Sequence, residues 1–215
     1  HAFVDLLVVG GGIARLNAAL AAGASGARVL LIEQTAHWGG RTPVDAEGGA
    51  AAVAKALARL HEMPNVSMRT RCMGAGVYDH GFVLAYERVS DHAPGGAAPR
   101  HRLWKIRARQ VIAATGAIER PLSFPGNDVP GVMLASAVRD YVVNWATAPG
   151  RRTVVVTNND DAYRTALALV EHGLEVPLIV DARAGGGGAL AEQARAQGIE
   201  VMTGGAVHKV HGRAQ

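Results

Sequence analysis

The chain has 215 residues, 49% of them hydrophobic and 19% charged, with a formal net charge of +4. That composition suits a globular protein with one large core or two smaller ones, and no apolar run reaches the roughly 20 residues of a membrane span. The positive balance does not point to nucleic acid either. Part of it lies in "RHRLWKIRAR", where Lys105, Arg107 and Arg109 alternate with Trp104, Ile106 and Ala108, the pattern of a strand with one apolar and one solvated face.

The sequence starts at His1 with no initiator Met, basic n-region or cleavage site, so it does not read as a signal peptide, and the missing Met suggests a fragment, a processed chain or a portion of something longer. "FVDLLVV" (3–9) is a short apolar run ending at Gly10, as expected of a buried parallel strand. "ARLNAALAAGA" follows as a helix and "ARVLLIE" as a second buried strand that stops at Glu33. Strand, glycine turn, helix and strand form a βαβ unit. "GGAAAVAKALARLHEM" is a second helix, and "VSMRT" is a strand. "VYDHGFVLAYERV" and "HRLWKIRAR" read as antiparallel strands, and "QVIAATG" as a further buried strand. We expect a small antiparallel insertion over roughly residues 66–110.

Residues 117–131, with three prolines, read as a link between domains. After the helix "SAVRDYVVNWA" a second cycle opens: "TVVVT" strand, "DAYRTALALVEHG" helix, "EVPLIVD" strand, "ALAEQARAQG" helix and "IEVMTGG" strand. The fold class is therefore α/β, with two Rossmann-like units in series. The first is expected over 1–120, and the second, incomplete at its C-terminal end, over 121–215.

The turn "VVGGGIARLNAA" holds most of the chemistry. The G-x-G-x-x-G fingerprint needs its first glycine for a sharp turn, its second for close approach of a pyrophosphate and its third for helix packing. Gly10 and Gly12 occupy the first two positions, but Arg15 holds the third. The helix N-terminus offers amides and a partial positive charge to an anion. Glu33 stands about 20 residues after Gly12, where an acid accepts hydrogen bonds from a ribose diol. A carboxylate there disfavours a 2′-phosphate, so NAD or FAD is preferred to NADP. "HWGGR" adds Gly39, Gly40 and Arg41, with Arg41 expected near a phosphate.

In the second cycle the corresponding turn is Asn158-Asn159-Asp160-Asp161. Adjacent acids repel a pyrophosphate, asparagine tolerates left-handed backbone, and the acids suit helix N-caps. This unit is read as a Rossmann turn that has lost its phosphate site. The single cysteine, Cys72, forms no internal disulfide or C-x-x-C pair and is expected to be buried, which sets aside a disulfide-type flavin reductase. The scattered histidines show no zinc spacing. Asp79 and His80 fit a hairpin better than a catalytic site, and Glu119 and Arg120 fit a structural ion pair.

"RLWKIRARQVIAATGAIERPLSFPGND", with "GVMLASAVRDY" and "VVVTNNDDAYRTALAL", resembles the alpha subunits of heterotetrameric sarcosine oxidases. "ATGAIERP" and "TNNDDAYRTA" are far more specific than the glycine motif. The match runs across nearly the whole chain, and the alpha subunits of opine and proline dehydrogenases and of hydrogen cyanide synthase are similar too. The resemblance implies a two-dinucleotide-binding-domain flavoprotein fold. It also implies a complex that demethylates sarcosine to glycine, yielding hydrogen peroxide and formaldehyde or a methylene-tetrahydrofolate. Amine oxidation would take place on FAD in the beta subunit, with FMN between alpha and beta and NAD (alternatively FAD) in the first alpha site.

The partners implied are the beta subunit and smaller gamma and delta subunits, in the cytoplasm, with neither nucleic acid nor membrane involved. Carried onto this sequence, the cofactor site comprises Gly10, Gly12, Glu33, Gln34, Gly40, Arg41, Thr115 and Gly116; Gly11, Ile13, Ala14, Thr42 and Gly74 complete the candidate set. No catalytic or metal-binding residue is assigned. Arg15 departs from the family's third glycine.

Overall fold

The computed structural model describes residues 1–93 and 95–212. The chain divides into two compact units, His1–Ala117 and a second that begins at Ile118.

The first unit comprises β1 (Ala2–Val9), α1 (Ile13–Ala24), β2 (Val29–Ile32), α2 (Thr42–Asp45), α3 (Gly49–His61), β3 (Val66–Arg69), β4 (Cys72–Tyr78), β5 (Phe82–Arg88) and β6 (His101–Ala113). They build one six-stranded sheet in the order β3-β2-β1-β6-β5-β4. β3, β2, β1 and β6 run parallel, while β4, β5 and β6 form an antiparallel meander. The C-terminal half of β1, Leu6–Val9, is a continuous apolar run, and both its faces are covered. Leu6 and Val8 pack with Leu16, Ala19 and Leu20 of α1 and Val53, Ala56 and Leu60 of α3. Leu7 packs on the other face with Cys72, Val83, Ala85, Ile106 and Ala108 of the meander. Leu16 is fully buried, a contribution of about 1.5–3 kcal/mol.

Two sequence expectations are corrected here. "HRLWKIRAR" and "QVIAATG" are not separate strands: β6 runs unbroken for 13 residues, pairing with β5 over 101–107 and with β1 over 106–113. Its second half is less buried than expected, with Ile112 exposed. β3 is not part of the antiparallel insertion, because it pairs in parallel with β2; the insertion starts at Cys72. Asp79–Gly81 is the tight turn between β4 and β5, with His80 in left-handed backbone.

The second unit holds α4 (Ala135–Trp145), β7 (Arg152–Thr157), α5 (Asp161–Glu171), β8 (Glu175–Asp181), α6 (Gly188–Ala196) and β9 (Glu200–Thr203). Its three strands are parallel in the order β7-β8-β9. The core gathers Val138 and Val142 of α4, Tyr163, Ala166 and Leu169 of α5, Val155, Ile179, and Ala191 and Ala194 of α6. Glu119 does not pair with Arg120. Its carboxylate accepts the Ser136 amide at 2.7 Å, in the first turn of α4.

Candidate functional site

The ends of β1, β2 and β6 converge with the start of α1, the location where parallel α/β sheets bind ligands. Gly10 leaves β1 at φ +109, a conformation that side chains rarely adopt, and its amide donates to the Ile32 carbonyl at 2.8 Å. Gly12 is the N-cap of α1, and its carbonyl accepts from the Arg15 and Leu16 amides at 3.0 and 3.1 Å. No side chain caps this helix, and its first turn carries no acid. The amide end at Ile13 and Ala14 therefore keeps its partial positive charge for a ligand.

Glu33 follows β2 and is only 6% exposed. Its Oε1 accepts the Thr35 amide at 2.7 Å, and its Oε2 lies 2.8 Å from where a Cβ on Gly11 would stand. The acid thus sits directly against the glycine turn. The loop 37–41 closes the other side. The Gly39 amide donates to the Gly11 carbonyl at 2.8 Å, Gly12 and Gly39 form a parallel bridge, and a Cβ on Gly40 would come within 3.3 Å of Gly12 Cα. The Ala114 amide donates to the Val9 carbonyl at 3.2 Å and brings Thr115 and Gly116 to the same place. Gly74 lets β4 approach the end of β1, since a Cβ there would lie 3.0 Å from Val9 Cγ1.

The remaining expected residues lie at the margin. Arg41 forks onto Asp45 at 3.0 and 2.9 Å, so its charge already faces a carboxylate. Thr42 begins α2, its amide bonded to the Gly39 carbonyl at 3.0 Å. The Gln34 carbonyl accepts from Arg88 at 2.9 Å. Two residues that sequence reasoning does not single out complete the site. Thr35 orients Glu33, and the Trp38 ring packs 2.8 Å from a Cβ position on Gly11. The only signals for them are a threonine two residues past the acid and a tryptophan just before the glycine pair.

Arg15 neither turns outward nor enters the core. Its Nε lies 3.0 Å from a Cβ position on Gly10, its terminal nitrogens lie 3.5 Å from that of Gly116 and against that of Gly12, and Nε is buried without a partner. The backbone of the turn, its amides and Glu33 fit a dinucleotide. The orphaned Arg15 donor marks a place where an acceptor is missing, and leaving a buried donor unpaired costs about 1–3 kcal/mol.

The equivalent end of the second unit is closed from within. Asp181, at the end of β8, is fully buried and accepts from the Tyr163 hydroxyl at 2.8 Å and the Arg183 amide and Nε at 3.0 Å each. The Arg183 guanidinium also reaches Asp160 at 2.7 Å. The Arg183 hydrogen bond, opposed by burial, holds the Asp181 carboxyl down at about 2. Burial and the bond to Asp181 push the Tyr163 hydroxyl up to about 12. The expectation for the turn is corrected in two respects. Asn158 and Asn159 are not left-handed; the Thr157 hydroxyl instead accepts the Asn159 amide at 3.0 Å and donates to the Asn159 carbonyl at 2.8 Å. Asp160 makes no side-chain cap, because its carboxylate is turned to Arg183.

A parallel sheet with a glycine turn, a helix start and an acid at the next strand end defines a dinucleotide-type oxidoreductase domain, pyridine or flavin. Residues 4–215 match the family model described as pyridine nucleotide-disulphide oxidoreductase, and the chain belongs to that family. It is 42% identical over 193 residues to sarcosine oxidase subunit alpha of Rhizobium meliloti (strain 1021), covering 86% of this chain and 20% of that one. The same subunit of Corynebacterium sp. (strain P-1) is 41% identical over 216 residues, covering 96% and 22%. The chain therefore spans about a fifth of the length of these relatives. The crystal structure of L-proline dehydrogenase from P. horikoshii superposes with a TM-score of 0.66 at 26% identity, covering 84% of this chain and 36% of that one. The resemblance read from the sequence is borne out by these relatives. Among the described residues no helix is long and apolar enough to cross a membrane.

Proposed function

We propose that this chain is the dinucleotide-holding region of an alpha subunit in a sarcosine oxidase-like complex, with NAD in the first unit. The observation that carries the reading is the contact of Glu33 with the Gly10–Gly12 turn at an uncapped helix start, in a chain 42% identical to a sarcosine oxidase alpha subunit. The amides of Ile13 and Ala14 would face the diphosphate and Glu33 the adenosine ribose, while Gly40, Thr115 and Gly116 leave room along the nucleotide. When bound, the nucleotide supplies hydride-transfer chemistry. In this reading this chain's residues bind and orient it. We assign amine oxidation, sarcosine to glycine with release of hydrogen peroxide and a one-carbon unit, to FAD on a partner beta subunit in the cytoplasm, with FMN between the two chains. We infer that the second unit holds no nucleotide, because Asp181 and Asp160 are both engaged by Arg183.

A scaffold without nucleotide is the second reading, favoured by one observation, the Arg15 guanidinium over the glycine turn. Mass spectrometry of the small molecules released on denaturing the native assembly tests the proposal. One NAD per chain is expected. FAD in its place moves the chain toward the opine and proline dehydrogenase type, and release of neither, with no uptake of either on titration, leaves the scaffold.

A further inference from the structure

Gly10, Gly12 and Gly116 come from two separate segments, yet the space left by their absent side chains converges on one spot. Arg15 fills that spot. Its Nε lies 3.0 Å from the Gly10 Cβ position and a terminal nitrogen 3.5 Å from that of Gly116; the other terminal nitrogen lies on that of Gly12. In a three-glycine turn this volume is open to the diphosphate. We propose that Arg15 is a self-occupant of the diphosphate cradle, so that a dinucleotide binds only after the guanidinium swings out. The inference rests on the dinucleotide reading above and concerns this chain's own departure from the fingerprint.

The hold is weak by construction. Among the described residues the Arg15 guanidinium has no hydrogen-bond or ion-pair partner, and its Nε is buried and unsatisfied. It also sits at the positive end of α1, which no acid in the first turn offsets. The contrast is with Arg139, whose Nε is likewise buried without a partner but whose terminal nitrogens donate to Asp161, one of them to its carboxylate at 2.8 Å. Arg15 is a long, half-buried side chain in the first turn of α1, and in the proposed open state rotation about its stem frees the cradle. The apparent dissociation constant is then the intrinsic one divided by the fraction of molecules with the cradle open.

The test uses the whole protein with its co-purifying subunits, stripped of nucleotide and titrated by calorimetry with NAD and, separately, with FAD. Arg15→Gly and Arg15→Ala are expected to bind at least tenfold more tightly than the parent; the alanine variant guards against loss of folding from a helical glycine. Equal affinity in parent and variants overturns the inference, as does weaker binding in the variants, which would make the guanidinium a ligand of the diphosphate. Gly12→Ala, made in the Arg15→Ala background, is expected to abolish binding. If it does not, or if neither parent nor variants bind either nucleotide, the dinucleotide reading of this turn fails, and the inference fails with it.

Discussion

The Glu33 carboxylate fills the space that a side chain on Gly11 would need. Oε2 stands 2.8 Å from the position a Cβ on Gly11 would take, and Trp38 Cε3 approaches the same point equally closely. Neither neighbour retreats freely. Glu33 is buried and anchored through Oε1 to the Thr35 amide at 2.7 Å. Gly11→Ala is therefore expected to cost about 1–3 kcal/mol through overpacking. Scanning calorimetry checks this as a fall in Tm; an unchanged Tm would mean that the carboxylate does not pack on the turn.

On the dinucleotide reading, Glu33 is expected to govern nucleotide choice. A buried carboxylate accepting from ribose hydroxyls contributes about 1.5–3 kcal/mol, so Glu33→Ala is expected to weaken NAD roughly tenfold or more. The same change removes the repulsion of a 2′-phosphate, so NADP should lose less affinity than NAD does. Titration of both nucleotides against parent and variant gives the ratio. A parallel loss for both would place Glu33 away from the ribose.

How much of this was readable in the residues differs from element to element. β1, the glycine turn, α1 and β2 are explicit in the sequence because a two-sided buried strand reads as a continuous apolar run and its turn must contain glycine. β6 is less legible, since it begins in a half-exposed meander and ends in a parallel sheet, and its burial pattern changes near Gln110. α2 is only four residues long and starts at Thr42-Pro43, too short to show a helical period. The place of Glu33 follows from spacing, but the contact of Trp38 with Gly11 comes from a loop folding back on the turn. The path of Arg15 depends on Gly10, Gly12 and Gly116 at once, a coincidence in space that no local pattern records. Likewise, Asp160 is a good cap by residue type, and only the approach of Arg183 diverts it.

Asp181 makes the stability of the second unit sensitive to acid. Its folded pKa, about 2, lies below the value of about 3.9 for an unfolded aspartate. A lowered carboxyl stabilises the fold above the unfolded pKa and loses that contribution as pH falls through the folded one. The window is therefore about pH 4 down to pH 2, and the amount at neutral pH is on the order of 2 kcal/mol. Asp181→Asn is expected to lower the thermal midpoint at pH 7 and to converge on the parent as pH falls through this window. A gap that stays constant down to pH 3 would show that the carboxylate is not held by Arg183 and Tyr163.

Cys72 is placed as a packing residue rather than a reactive thiol. It is the single cysteine of these 215 residues, it begins β4 and it is 1% exposed. Burial, reinforced by repulsion from Glu87 on the paired strand, pushes its thiol up to about 12. The thiolate is the reactive form, so at pH 8 the folded protein holds almost none. Thiol reagents at that pH are expected to leave the Cys72 peptide unmodified in the native protein and to label it fully after unfolding, as read by peptide mass spectrometry. Cys72→Ala should leave nucleotide affinity unchanged and cost about 1 kcal/mol of packing. Rapid labelling in the native state, or loss of nucleotide in the alanine variant, would place this thiol in the chemistry after all.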